Sequence, residues 1–336
     1  MGISLATKGV SFTVEVGIGS PPTMYKLLVD TGGANTWIGA GKPYVKTSTS
    51  KDTGNKVSIK YNNGEFSGTQ YTDQITISPE LVIDNQSIGV ASAATGFNDV
   101  DGVLGLGPVD LTSGTVANTD SVPTITDNLF GQETISTESV GISHVPTTDP
   151  TEVGNVELDF GGVDTAKITS DITYVPITST QPANHYWGLD ISVTYGDQEI
   201  LNSAGIVDSC TTTILLAADA FKAYQSATGA ELDTKTELLK ITEDQYNNLQ
   251  PLVFNIGGTS FELSPNAQIF PRSLNKEIGG DTDGIYLIIG DLGSPSGEGL
   301  DFILGIPFMQ RFYTVLDTTN NQIGFATTPY TDATSN

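Results

Sequence analysis

Apolar and polar residues alternate with a period of two at the start of the chain, in F-T-V-E-V-G-I at 12–18 and M-Y-K-L-L-V at 24–29. Such alternation predicts two half-buried strands. G-I-G-S-P-P at 17–22 supplies the turn between them, and the second strand runs into Asp30. A second hairpin is predicted at 57–61 and 66–71, closed by Asn62-Asn63-Gly64, because Asn-Gly readily adopts the left-handed backbone of a tight turn. The apolar, glycine-rich D-G-V-L-G-L-G at 101–107 reads as a strand passing close to another backbone. Helical patterning is confined to short stretches at 124–129, 217–228, 242–249 and 307–312. The Pro/Ser/Thr-rich stretch 174–184 suits a crossing between two lobes.

One long-range repeat organises the rest. Leu28-Val29-Asp30-Thr31 precedes Val103-Leu104-Gly105, and Ile206-Val207-Asp208-Ser209 precedes Ile303-Leu304-Gly305. From Asp30 to Gly105 is 75 positions and from Asp208 to Gly305 is 97, a difference that loop insertions account for. The expected fold is mostly β and bilobal, two related β lobes with a cleft between them. Residues 1–175 form the N-terminal lobe and 176–336 the C-terminal lobe, each contributing one aspartate.

Composition narrows the partners. The 336 residues suffice for one core per lobe. A net charge of −25, from 39 acidic and 14 basic residues, leaves no basic surface for phosphates and disfavours nucleic acid and anionic membranes. It suits either an acidic environment, where protonation relieves self-repulsion, or simple solubility. The single cysteine, Cys210, forms no intramolecular disulfide, and His144 and His185 stand 41 positions apart without zinc-site spacing. No metal or cofactor is expected. The chain has no 18-residue apolar run, and its start lacks the apolar core of a signal peptide. A secreted protein of this sequence would be a processed form without signal or propeptide. Asn85-Gln86-Ser87 is a glycosylation sequon, a pattern short enough to arise by chance.

An aspartate after a strand is ordinarily a turn residue. Two in matched contexts suggest a pair of carboxyl groups across a pseudo-twofold axis, where like charges cannot both ionise and one proton is shared. One group then acts as base and the other as acid, as hydrolysis of a peptide by activated water requires. Glycoside hydrolysis also uses paired acids, so the pair alone leaves the substrate open. Serine-nucleophile chemistry is disfavoured, because neither histidine has an interpretable setting and no G-x-S-x-G elbow occurs.

Over nearly its whole length the chain resembles the pepsin-like family of aspartic proteases, and in loop lengths and C-terminal half its secreted basidiomycete members of the polyporopepsin type. The resemblance rests on the two aspartate loops, the two apolar-apolar-glycine segments, Asn35-Thr36-Trp37, Tyr61, Tyr186-Trp187 and F-Y-T-V-L-D-T-T-N-N-Q-I-G-F-A at 312–326. It implies a monomeric, secreted or vacuolar, acid endopeptidase without cofactor, inhibited by statine-type mimics. Asp30 and Asp208 become the catalytic dyad, Thr31 and Ser209 a grip across the axis, and Thr211 the support of the outer oxygen of Asp208. Tyr61 becomes the flap tyrosine, with Asn62, Asn63 and Gly64 at the flap tip and Trp37 bonded behind it; Leu28 and Val103 line an apolar pocket. An extended peptide would lie beneath the flap.

Three positions depart from the family pattern. Glycine is usual where this chain has Cys210, serine where it has Gly33, and glycine where it has Asn62; Gly32 keeps the usual residue. Gly33 removes a hydroxyl that would bond the first carboxylate. Cys210 is expected beside Asp208 at the cleft floor, crowding the substrate channel while its protonated thiol takes no part in chemistry. These departures leave two other readings open: a pepsin-fold protein that binds peptide or another ligand with impaired proteolysis, or an acid/base enzyme acting on a non-peptide substrate.

Overall fold

A computed structural model of the protein describes residues 2–7, 12–61, 64–146 and 153–336. The alternating segments become strands Phe12–Ile18 and Thr23–Asp30, paired antiparallel with Ile18 opposite Thr23. Val14, Val16, Tyr25, Leu27 and Val29 are buried, so the second strand is anchored along its length and delivers Asp30 at its end.

Gly102–Gly105 runs parallel to Thr23–Asp30 and antiparallel to Trp37–Ile38, so it threads the loop that carries Asp30. The second half repeats this arrangement: Phe302–Leu304 lies parallel to Gln198–Val207 and antiparallel to Ile214–Leu216. The outer parallel neighbour is repeated too, Gly89 beside Trp37 and Ile289 beside Ile214. Threading this close demands glycine. A Cβ on Gly105 would overlap the backbone of Ala34, and one on Gly305 the carbonyls of Thr211 and Thr213.

Among the described residues the strands form sheets of 13, seven and three. The C-terminal hairpin, Phe312–Asp317 with Gln322–Thr327, joins the largest sheet beside Ser139–His144, so the chain end returns to the sheet built from its first half. The expected helix at 307–312 ends earlier, at Ile306–Met309, because Phe312 opens that hairpin and exchanges helix for ladder hydrogen bonds opposite Thr327. The expected crossing at 174–184 is likewise shorter. Thr173–Pro176 pairs along Gln322–Thr327 as an edge strand, leaving the crossing to start at Ile177.

The other expected helices are Ile125–Gly131, Ala218–Thr228 and Glu243–Asn247. Thr124 with Asp127, and Thr242 with Gln245, close the first and third with capping boxes. No helix among the described residues is long and apolar enough to cross a membrane.

Candidate active site

The two threaded loops meet with their aspartates side by side. Asp30 is 4% exposed and Asp208 half-buried. Each inner oxygen accepts a backbone N–H two residues on: Gly32 donates to Asp30 Oδ1 at 3.0 Å and Cys210 to Asp208 Oδ1 at 2.9 Å. The Thr211 hydroxyl donates to Asp208 Oδ2 at 2.6 Å. Burial, and then the neighbouring Asp208 charge, push the Asp30 carboxyl up to about 7. The pair therefore favours one proton shared between two carboxyls, with Asp30 the group that gives it up reluctantly.

Thr31 and Ser209, both fully buried, hold the loops together. Ser209 Oγ donates to the Val29 carbonyl at 2.8 Å and accepts from Thr31 N at 3.0 Å, while Thr31 Oγ1 accepts from Ser209 N at 2.9 Å. Trp187 adds a pin that the sequence reading left without a role. Its indole donates to the Leu106 carbonyl at 2.9 Å, Leu106 N donates to the Asp30 carbonyl at 2.7 Å, and the Trp187 carbonyl accepts from Val207 N at 3.0 Å. This one residue, through its indole and its carbonyl, thus couples the backbones that carry both aspartates.

The hairpin over the site runs Lys51–Tyr61 and Gly64–Ser78, with Tyr61 opposite Gly64. Its tip residues Asn62 and Asn63 lie outside the described residues. Trp37 Nε1 donates to the Tyr61 hydroxyl at 2.8 Å. Trp37 is fully buried, stacked on Phe66 with ring centroids 4.4 Å apart, so it is both core and partner to the tyrosine. Phe97, which no sequence signal singled out, packs edge-on against both Trp37 and Tyr61. Burial and the field of Asp30 hold the Tyr61 phenol well above its usual range, so it stays protonated. Leu28 is half-buried against this cluster. Val103, expected to line the pocket, has no exposed surface and instead backs the cluster from within.

Cys210 stands beside Asp208, its N–H on that carboxyl. Its sulfur turns across the axis to the Val29 carbonyl, 3.5 Å away, and stands within 4.8 Å of a carboxyl oxygen of Asp30, the aspartate of the other loop. Burial and the fields of Asp30 and Asp208 push the thiol well above its ordinary range. One ligand atom from each of Asp30, Asp208 and Cys210 lies within 4.8 Å of the others, the spacing a shared cation needs. A thiol this reluctant to ionise is a poor ligand, because metals bind the thiolate.

Neither histidine approaches the dyad's hydrogen bonds. His144 is buried against Phe12, where burial drives it down to about 3, and His185 is exposed, 4.0 Å from Asp110. Asn85 is exposed on the strand Leu81–Thr95, its side-chain oxygen accepting from Lys51 at 3.1 Å.

Two loops threaded by strands, gripping each other crosswise and presenting a buried and a half-buried carboxyl under a hairpin, define an aspartic-type endopeptidase. Residues 11–328 match the family described as eukaryotic aspartyl protease, and the chain belongs to it. The chain is 57% identical over 331 residues to polyporopepsin of Irpex lacteus, covering 97% of each. A crystal structure of aspartic proteinase from Irpex lacteus superimposes with a TM-score of 0.98 at 56% identity, covering 100% of this chain and 99% of that one. Cathepsin E of Rattus norvegicus is 29% identical over 334 residues, 93% of this chain and 78% of that protein.

Proposed function

We propose that this endopeptidase cleaves extended peptides under acid conditions, with Asp30 and Asp208 as its catalytic pair. The reading rests on one observation: two carboxyls, each fixed by a backbone N–H, stand side by side, one buried and one half-buried, where only one can comfortably ionise. The ionised group, written as Asp208, takes a proton from the attacking water, and protonated Asp30 donates toward the carbonyl oxygen of the scissile bond. The resulting tetrahedral centre breaks down when the proton taken by the base passes to the leaving amine. Thr211 keeps Asp208 aimed, and the Thr31–Ser209 grip keeps the spacing fixed while charge moves. Tyr61, held from behind by Trp37, closes the hairpin over a peptide whose side chains meet the Leu28 surface.

We take residues 1–175 and 176–336 as the two aspartate-bearing lobes, the hairpin at 312–327 strapping the second onto the first. The site draws both aspartates from one chain, so a monomer suffices. Secretion agrees with the acidic composition and the exposed Asn85 sequon. A mass shift on endoglycosidase treatment of secreted material would report modification there.

The test is hydrolysis of a denatured protein across acidic to neutral pH, with and without a statine-type mimic of the tetrahedral centre. Cleavage under acid that the mimic blocks supports the reading; equal cleavage with the mimic, or none at any pH, overturns it.

A further inference from the structure

Arg311 is 1% exposed and ranks with Trp37 among the largest fully buried side chains of the described residues. It follows the helix Ile306–Met309, donates its backbone N–H to the Phe308 carbonyl at 3.0 Å, and stands just ahead of the C-terminal hairpin. Residues 330–333 wrap it. Nη1 donates to the Tyr330 and Ala333 carbonyls at 3.2 and 2.5 Å, and the Thr331 hydroxyl donates to the Arg311 carbonyl at 2.6 Å.

These partners satisfy hydrogen bonds but bring no negative charge. Among the described residues no carboxylate comes within 4.0 Å of the guanidinium, and Asp332, whose field reaches it, is exposed. Nη2 is buried and has no hydrogen-bond partner. A guanidinium stays protonated at any working pH, so it cannot escape burial by neutralising itself as a lysine can. An unpaired ion taken out of water is costly, and buried charges are accordingly paired.

Arg311 also lines a cavity of about 20 Å³, room for a single particle of about the size of a water molecule or a halide ion. The wall is mostly apolar, with Ile269, Phe270, Ile306 and Pro307, and the cavity meets the surface beside exposed Thr212. A water there would leave the charge unmatched, and an apolar wall supplies few of the partners that a buried water needs. Phosphate and carboxylates are too large for the space. A halide suits the room, the charge and the dry wall together.

We infer that the cavity beside Arg311 is a binding site for a small monovalent inorganic anion of halide size, chloride above all, which pairs with the buried guanidinium. Its place gives it a task. Thr212 follows Thr211, whose carbonyl accepts from Ile306 N at 2.8 Å and whose hydroxyl supports Asp208. An ion there braces the helix, residues 330–333 and the second aspartate loop from behind the cleft, so its effect falls on stability.

The experiment follows melting temperature against sodium chloride, with sodium gluconate holding ionic strength constant, and locates bromide in wild-type crystals by its anomalous scattering. Above the dissociation constant the melting temperature should rise about 2 °C for each tenfold increase in chloride, because an anion that binds only the folded state stabilises it by mass action. Gluconate, too large for the cavity, should give no such rise. A bromide peak should stand within hydrogen-bond reach of Arg311 Nη2. Arg311→Met removes the charge, and Ala267→Leu fills the cavity from its wall while keeping the charge; each should abolish the chloride dependence. Should Arg311→Met not fold, Ala267→Leu makes the comparison. A melting temperature indifferent to chloride at constant ionic strength, a chloride dependence that survives the substitutions, or water alone beside Arg311 in the bromide crystals overturns the inference.

Discussion

Thr31 and Ser209 hold each other across the lobe interface by a reciprocal exchange: the N–H of each donates to the hydroxyl of the other, at 3.0 and 2.9 Å. The exchange is uneven beyond that point. Ser209 Oγ donates onward to Val29 at 2.8 Å, whereas Thr31 Oγ1 reaches Val207 only at 3.5 Å.

Ser209→Ala should therefore cost more than Thr31→Ala. Each leaves a buried N–H without its partner, at about 1–3 kcal/mol, and the serine change also removes a short bond. Urea unfolding with kcat measured on the same samples checks the order. Equal costs would show that the two hydroxyls bear alike on the interface despite their different lengths.

Turnover should need both carboxyls and the proton between them. Asp30→Asn and Asp208→Asn should each lower kcat about a hundredfold or more while leaving the melting temperature near wild type, given the usual contribution of a general acid or base. In the wild type, activity should fall as pH rises through about 7, where Asp30 gives up its proton. A pH–rate profile that stays flat from acid to mild alkali would exclude the shared proton.

Tyr61 is half-buried, whereas its partner Trp37 is fully buried. Tyr61→Ala should accordingly lower kcat/KM about tenfold or more with a small loss of stability, while Trp37→Phe should destabilise by about 1–3 kcal/mol, since it opens packing and removes a buried donor. Peptide kinetics and thermal melts on both variants separate lid from core; a large stability loss in Tyr61→Ala would assign the tyrosine to the core.

Stability should be greatest at intermediate pH, for two reasons acting on opposite sides. His144 is held down to about 3 by burial, and the unfolded chain takes up its proton first. Stability is thus lost as pH falls from the ordinary histidine range toward 3, and His144→Leu should recover about 2–4 kcal/mol there. Glu138 is pushed up to about 8 by burial and by the hydrogen-bonded Asp127 carboxyl. The folded state holds that proton longer, so stability is lost as pH rises from the ordinary glutamate range through about 8. Glu138→Gln should reduce this loss by about 1 kcal/mol, solvent screening at a partly exposed site keeping it small. Melting temperatures across pH for wild type and both variants check each limb. Superimposable curves for wild type and His144→Leu in acid would show that the imidazole is not confined as its burial implies.

The sequence alone determined the strands that carry the aspartates, the glycines that thread them and the hairpin closed at Gly64. Each is written in a few consecutive residues, as alternation, as an apolar-apolar-glycine run, or as Asn-Gly. Pairing Asp30 with Asp208 was legible because the motif occurs twice. Tertiary structure decided the rest, where the outcome depends on which distant backbone lies opposite. Val103 fills the core because Trp37, Phe66 and Leu28 close over it. Phe312 leaves a helical pattern because a strand at 322–327 is there to pair with it. The Cys210 sulfur turns to the Val29 carbonyl because the twofold arrangement aims the second position of each loop at the other lobe's aspartate loop, and no local pattern encodes a direction set by residues about 180 positions away.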